Sequence, residues 1–385
     1  MPINPNELRD RLALWRLPGM GPVTFKAALQ RFGSATSALQ ASPRAWSRLP
    51  ARPELLASVC HPDWSGVDQD LRWLEERDHH LLILGEPGYP EPLAGLHAPP
   101  PLLFVRGDPE LLSWPQLAIV GSRQPSRSGT DTAMRLASEL ALSGLIITSG
   151  LALGIDAAAH RAGLRVDGRT IAVIATGPDR CYPHQHKVLT KDILSSGGAI
   201  VTEFPTGVSP KQAHFPRRNR LISGLSLATL VVEASLRSGS LITARHALDQ
   251  GKEVFAVPGS ILNPLAKGCN DLIKRGEAQL IDTVDDILEE IAVSVGAISP
   301  MPPAVSGLIT ATDNTRDDHL PGEANTVLAA LAHDPVGIDQ LCQRCGLTAD
   351  LVSSILLQLE LQGLVEALRG GRFMRRPLAG PLRSP

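Results

Sequence analysis

The sequence predicts an α/β protein: a parallel-sheet core, preceded by a small helical N-terminal domain and followed by a compact C-terminal domain of helices and a hairpin. Three observations predict it. Over residues 117–259, short apolar runs alternate with helix-like segments that open on Gly, Ser or Pro, the pattern of βαβ units. Before residue 66 the pattern is instead one of short helices broken by Pro and Gly. After residue 322 a tail reads as helix, helix, helix and two short strands around Gly370-Gly371. The domain scheme is therefore 1–65 helical, 66–293 core, 294–322 linker and 323–385 tail.

The bulk properties fit this division. A chain of 385 residues with 43% hydrophobic residues can build two or three cores. The formal net charge is −2, so no global field draws the protein to nucleic acid or membrane, and any such site is a local patch. No apolar run reaches the roughly 18 residues a membrane span needs, and no charged-then-apolar leader opens the chain. Five scattered cysteines make no disulfide framework. The expected compartment is the cytoplasm.

Taken in order, residues 8–15 are periodic and lead to Leu17-Pro18-Gly19-Met20-Gly21-Pro22 and a second amphipathic run. A Pro-Gly-x-Gly turn between helices resembles half of a helix-hairpin-helix, but a plain helical bundle with tight turns reads equally well. Residues 68–77 look helical, and 80–84 and 102–105 look like strands that add edges to the main sheet. In the core, strands are expected at 117–120, 145–148, 170–174, 199–202, 230–234 and 253–257. Helices are expected at 129–142 and 241–250, with further short ones at 272–275 and at 283–291, the last capped by Thr283 with Asp285 and Asp286 in its first turn. In the tail, helices are expected at 324–332, 338–345 and 348–362, with Thr348 as a cap; three helices and a hairpin make a winged helix. Its third helix carries no Lys or Arg, so partner docking or self-association suits it as well as DNA reading.

The functional signal sits on one rim of the sheet. In parallel α/β sheets ligands bind at the carboxyl ends of the strands. Gly121-Ser122-Arg123, Ser149-Gly150 and Ser238-Gly239-Ser240 all fall there, where Gly and Ser let backbone N–H groups approach an anion beside a helix N-terminus. Residues 204–232 contain no acidic residue but hold Lys211, Arg217, Arg218 and Arg220 with His214 and Phe215 among them. An aromatic among basic residues suits stacked bases and phosphates.

Other chemistries are poorly supported. Gly121-Ser122-Arg123 is no dinucleotide fingerprint, and no P-loop motif occurs. Cys342 and Cys345 have metal-like spacing without a second pair and read as core. Asp156 and His160 share a helix face and read as packing or a cap; His184 and His186 read as surface. No Gly-x-Ser-x-Gly elbow surrounds Ser238 or Ser240. Glu203 and Glu233 end two strands, where they orient Arg123 or Arg220 or, less simply, pair as catalytic carboxylates.

Assembled, these residues resemble the DNA-processing protein A (DprA/Smf) family over about 81–291. The resemblance rests on Gly121-Ser122-Arg123, on 149–156 with His160, on Tyr182-Pro183, on Phe215-Pro216-x-Arg218-Asn219-Arg220 with 223–226, on 238–244 and on Val257-Pro258-Gly259. His186, Ala175-Thr176-Gly177, Cys269-Asn270 and Glu277-Ala278 depart from the family's usual residues. The resemblance implies an extended Rossmann-like core between a SAM or helix-hairpin-helix-like N-terminal domain and a winged helix. It implies a non-enzymatic, cofactor-free and metal-free recombination mediator that binds single-stranded DNA, forms a homodimer through the core and loads the RecA recombinase in natural transformation. Duplex contacts by the N-terminal or winged-helix domain are left open. By position, Arg123 is the expected principal phosphate ligand. Lys211 and Phe215 follow as a phosphate contact and a stacking residue, Arg218, Asn219 and Arg220 as lining or buttress, and Gly121, Ser122, Gly150, Ser238, Gly239 and Ser240 as donors. Lys187 is a basic neighbour. The alternative is a nucleotide-processing enzyme related to phosphoribohydrolases, but 233–240 lacks the Gly-Gly and the following Glu of that loop.

Overall fold

The computed structural model of the chain describes residues 4–50, 52–295, 322–331, 336–368 and 370–375. It divides into two compact units, Met1–Ala304 and Val305–Pro385. The expected linker, 294–322, lies outside the described residues except at its ends: residues 294 and 295 still belong to a helix, and Gly322 already begins the next.

In the first unit six helices precede the sheet: α1 (Pro5–Arg16), α2 (Pro22–Phe32), α3 (Ala35–Gln40), α4 (Pro43–Trp46), α5 (Pro53–Ser58) and α6 (Trp64–Leu74). The core then runs β1 (His79–Ile83), α7 (Glu91–Ala94), β2 (Leu102–Gly107), β3 (Gln116–Gly121), α8 (Arg127–Leu142), β4 (Ile146–Ser149), α9 (Ile155–Arg165) and β5 (Thr170–Val173). It continues with α10 (Lys187–Ser195), β6 (Ala199–Thr202), α11 (His214–Leu225), β7 (Ala228–Val232), α12 (Ser240–Asp249), β8 (Glu253–Ala256), α13 (Lys267–Lys274), β9 (Gln279–Leu280) and α14 (Val284–Val295).

The nine strands form one sheet in the order β1-β2-β6-β5-β4-β3-β7-β8-β9. Strands β3 to β9 pair in parallel; β1 and β2 add an antiparallel edge, as the 80–84 and 102–105 runs led one to expect. The chain leaves β3 toward β4, β5 and β6, then crosses back to place β7 on the other side of β3. The loops after β3 and β7 therefore diverge and open a crevice between them, the topological switch point of the sheet.

Burial on both faces explains why the central strands read as continuous apolar runs. On one face Leu221, Ile222, Leu225, Leu241 and Ala244 of α11 and α12 pack on the sheet; on the other, α8, α9 and α14 supply Leu136, Leu140, Ile155 and Ile287. Helix α8 shows the sequence logic. Ala133, Leu136, Ala137 and Leu140 recur at i, i+3, i+4 and i+7 and are buried. Ser126 caps the helix by accepting from the Gly129 N–H at 3.0 Å. Each buried leucine contributes about 1.5–3 kcal/mol. Helix α14 starts as expected, with Thr283 Oγ1 accepting from the Asp286 N–H and Asp286 accepting from the Thr283 N–H.

The N-terminal helices are fastened to the sheet edge. Their apolar core continues into Leu102 and Phe104 of β2, and Trp15 Nε1 donates to the Glu203 carbonyl at 2.8 Å. Helix α6 runs through the expected boundary at 65–66, and Arg16 of α1 reaches its buried Asp70 at 2.7 Å. These contacts extend the helical layer beyond the segment that composition marked off.

One half-buried cation holds the end of α11. Lys252 Nζ donates to the carbonyls of Ser223, Gly224 and Ser226 at 2.9, 2.6 and 2.7 Å, filling acceptors that the helix terminus leaves open. Lys252→Met, which keeps the stem and removes the donors, is expected to lower unfolding free energy by about 1–3 kcal/mol. Urea denaturation followed by circular dichroism checks this; an unchanged midpoint refutes it.

The second unit contains α15 (Gly322–Leu331), β10 (Val336–Gly337), α16 (Ile338–Cys345), α17 (Ala349–Leu361), β11 (Val365–Leu368) and β12 (Arg372–Arg375), with strand order β10-β12-β11. This is the expected winged helix, with Gly370 and Gly371 at positive φ in the hairpin turn. The last residue of the expected 324–332 helix lies outside the described residues. Thr348 stands at the cap position of α17, but its side chain makes no capping bond, so that expectation is corrected. Cys342 and Cys345 pack against the core of this unit. Among the described residues no group of three His, Cys, Asp or Glu side chains could hold a metal ion.

Candidate functional site

The loops after β3, β4 and β7 and the start of α11 enclose a cavity of about 720 Å³ at the switch point. Of the residues singled out by sequence, Gly121, Ser122, Arg123, Phe215, Arg218, Asn219, Ser238, Gly239 and Ser240 line it together. Gly150 lines a smaller adjoining cavity that shares Arg123, Phe215 and Arg218. Close packing explains the small residues. A Cβ on Gly121 would lie 1.9 Å from the Val232 carbonyl oxygen, so no other residue lets β3 and β7 open the crevice this way.

Arg123 and Phe215 form the mouth. The guanidinium carbon of Arg123 lies 5.3 Å from the centroid of the Phe215 ring. The Tyr182 ring sits 5.8 Å from Phe215, tilted by 52°. Arg123 is exposed and, among the described residues, makes no ion pair with a carboxylate. Its charge and planar fork are open to a ligand, held over an aromatic face.

Beneath the mouth the basic residues are structural. Arg218 is buried; Nη1 donates to the carbonyls of Gly150 (2.5 Å) and Val173, and Nε donates to Asn219 Oδ1 at 3.1 Å. Asp156 accepts from the N–H groups of Gly150 (3.0 Å) and Ala152 (3.3 Å), so the two opposite charges meet across Gly150. Burial pushes the Asp156 carboxyl up, against the opposing charge of Arg218. Burial brings Arg218 down to about 10, opposed by Asp156 and assisted by Arg123. The floor thus holds two buried opposite charges that grip the Gly150 backbone from its two sides, Asp156 on its N–H and Arg218 on its carbonyl, and this sets the spacing of the β4 and β5 ends. Asn219 Nδ2 donates to the Gly239 carbonyl at 3.3 Å, tying α11 to the Ser238-Gly239-Ser240 loop, whose two serine hydroxyls share a 2.7 Å bond.

Of the two roles expected for Arg220, lining or buttress, its contacts fit the second: it donates to Glu203 Oε2 and to the Ala98 carbonyl, both at 2.6 Å, and fixes α11 to the sheet edge. Arg217 is bound to the same carboxylate at 2.9 and 3.1 Å and lies 5.1 Å over the Trp15 ring. Much of the charge of the basic run is therefore already neutralised. Lys211 is exposed in the turn before α11, and Lys187 is exposed at the start of α10; neither lines the cavity. Glu203 orients Arg220 as one of the expectations held, but Glu233 does not touch Arg123. It accepts from the N–H and hydroxyl of Ser126 at 2.8 and 2.5 Å and anchors the start of α8. His186 is buried, with Nδ1 2.9 Å from the Leu151 carbonyl, rather than on the surface. His160 is packed against Thr170 Oγ1 at 2.6 Å, and burial drives it down to about 3, which keeps it neutral. Sequence reasoning passed over Leu153 and Tyr182 as lining residues, although both lay inside motifs it had quoted.

A doubly wound sheet with a Gly- and Ser-rich crevice at its switch point defines an α/β protein of the Rossmann-like class. The chain belongs to the DNA recombination-mediator protein A family, whose sequence model matches residues 80–292. Models of the DprA winged helix domain and of the DprA-like N-terminal HHH domain match residues 311–371 and 5–58. Protein Smf of Escherichia coli (strain K12) is 42% identical over 305 residues, 79% of this chain and 80% of the relative. DNA processing protein DprA of Streptococcus pneumoniae is 45% identical over 202 residues, 52% of this chain and 71% of the relative. The crystal structure of DNA processing protein A from Streptococcus pneumoniae superposes with a TM-score of 0.64 at 33% identity, covering 75% of this chain and 99% of that one. A structure of DNA processing protein A from Helicobacter pylori, described by its single-stranded DNA binding mode, superposes with a TM-score of 0.50 at 32% identity, covering 56% and 96%.

Proposed function

We propose that the chain binds single-stranded DNA at the switch-point rim and acts as a recombination mediator. The observation that carries this is the Arg123–Phe215 pair at the mouth of the cavity, a free guanidinium held against an aromatic face. Phosphate on the fork and a base on the ring are the two contacts a single strand offers together and a duplex does not. The single-stranded DNA binding mode described for the Helicobacter pylori relative supports the same ligand. We read Lys211 as an outer phosphate contact, since it is exposed beside the mouth on the segment that carries Phe215.

Family membership supports the finer reading: the protein acts in the cytoplasm as a homodimer and loads the RecA recombinase onto incoming strands in natural transformation. Binding rather than catalysis is favoured because the acidic groups near the rim are engaged in the fold. Asp156 holds backbone amides, Glu203 holds two arginines and Glu233 holds Ser126.

Fluorescence anisotropy with labelled oligothymidylate and a matched duplex, at two salt concentrations, tests the proposal. Single strands are expected to bind more tightly, with affinity falling as salt screens the phosphate contacts. Phe215→Ala is expected to weaken single-strand binding by about 1–3 kcal/mol and to leave the salt dependence nearly unchanged, since it removes stacking and no charge. Equal binding of single strand and duplex would sink the proposal. Release of base from a nucleoside monophosphate would replace it with the phosphoribohydrolase-like alternative.

A further inference from the structure

A second groove of about 470 Å³ lies on the opposite face of α9, between that helix, α8 and the segment 185–186. Its lining includes Arg161 and Arg165, and no Asp or Glu. The two arginines are four residues apart on one helix, so their side chains stand about one turn from each other along the groove. Both are exposed, and neither has an ion-pair partner among the described residues. Unpaired arginines beside a concavity are unlike Arg217, Arg218 and Arg220, all of which the fold consumes.

The groove borders the central cavity, with Leu153 between them. Leu153, which is 40% exposed, lines the central cavity, the small adjoining cavity and this groove. An exposed apolar residue at the crest between two phosphate-friendly hollows offers a base a surface to rest on while the backbone passes over. Lys187, which lines neither cavity at the mouth, directly follows Gln185 and His186 of the groove wall and is exposed.

We propose that the groove is an outer track for the same single strand: the chain of nucleotides leaving the Arg123–Phe215 mouth crosses Leu153 and sets its next phosphates on Arg161 and Arg165. The proposal rests on the reading of the central cavity as a single-strand site, and it adds a second binding segment that only longer strands reach. A one-turn spacing of the two guanidinium groups suits consecutive phosphates, and each neutralised phosphate on a single strand adds about 0.7 to the salt slope.

The test uses the full-length chain and two labelled oligothymidylates, one just long enough for the central cavity and one several times longer. The double variant Arg161→Gln/Arg165→Gln is compared with wild type and with Arg123→Ala. For the long strand, the double variant is expected to lose about five- to thirtyfold in affinity and about 1.4 in salt slope, the share of two phosphates. For the short strand it is expected to bind as wild type does. Equal loss at both lengths, or loss at neither, overturns the outer track. Undiminished binding of the short strand by Arg123→Ala overturns the central reading instead, so the two failures are told apart. Because both arginines are exposed, an unchanged thermal midpoint of the double variant serves as the folding control.

Discussion

Arg123→Ala is expected to lower oligothymidylate affinity by about tenfold to a hundredfold, the equivalent of one charge-assisted bond of roughly 1.5–3 kcal/mol. The size follows from what surrounds the side chain. Arg217 and Arg220 are spent on Glu203, and Arg218 lies buried on two carbonyls. Of the arginines that line the cavity, Arg123 alone is exposed and free of a carboxylate. The salt slope is expected to fall by about 0.7, one single-strand phosphate. Arg123→Lys keeps the charge but loses the planar fork and its seat over Phe215, so an intermediate affinity with the wild-type slope is expected. Anisotropy titration across a salt series checks all three values. Wild-type affinity in Arg123→Ala would remove the rim from consideration as the DNA site. Folding is not at issue, because the side chain is exposed and lies outside the buried core.

The fold was legible where physical chemistry acts locally. Alternating apolar runs over 117–259 gave the parallel strands, because a strand buried on both faces has no polar side to show. The Gly-Ser-Arg and Ser-Gly-Ser loops pointed to the rim, because close approach of β3 and β7 tolerates no Cβ at Gly121. What sequence could not show was which charges remain free. Residues 204–232 read as a strong basic patch since they contain no acid. The acids that neutralise it, Glu203 and Asp156, lie just outside that window or on another helix. Pairing across the fold is a tertiary fact, and a residue count within a window cannot register it. His186 was misplaced for a similar reason: the segment around it is polar, yet its ring is drawn inward by the Leu151 carbonyl. In sequence α6 looks like any amphipathic helix, so its start at Trp64, ahead of the 65–66 boundary, was not visible. Only Arg16–Asp70, together with Asp70 holding Thr206 at 2.7 Å, shows that it belongs to the joint between helices and sheet.

Arg218→Met is expected to destabilise the protein by about 3–5 kcal/mol, the largest stability effect of the changes considered. Three losses coincide. The buried carbonyls of Gly150 and Val173 lose their donor, and Asp156 loses its balancing charge while remaining buried. Asp156 is already pushed up by burial, with Arg218 as the largest force holding it down. Removing the guanidinium therefore raises it further, and the carboxyl must either take up a proton or strain toward solvent. Asp156→Asn in the Arg218→Met background keeps an acceptor for the Gly150 and Ala152 amides and removes the orphaned charge. That double variant is expected to recover a large part of the loss, as paired replacement of buried charges does elsewhere. Urea midpoints of the single and double variants at neutral pH decide the matter. Recovery identifies the uncompensated carboxylate as the main cost. A single-variant loss with no recovery assigns the cost to the two carbonyls, and with it the rigidity of the β4 and β5 ends on which Arg123 and Phe215 depend. A loss below about 1 kcal/mol would mean that water reaches the site, and that the floor of the cavity is not the closed, balanced pair on which this account of the rim is built.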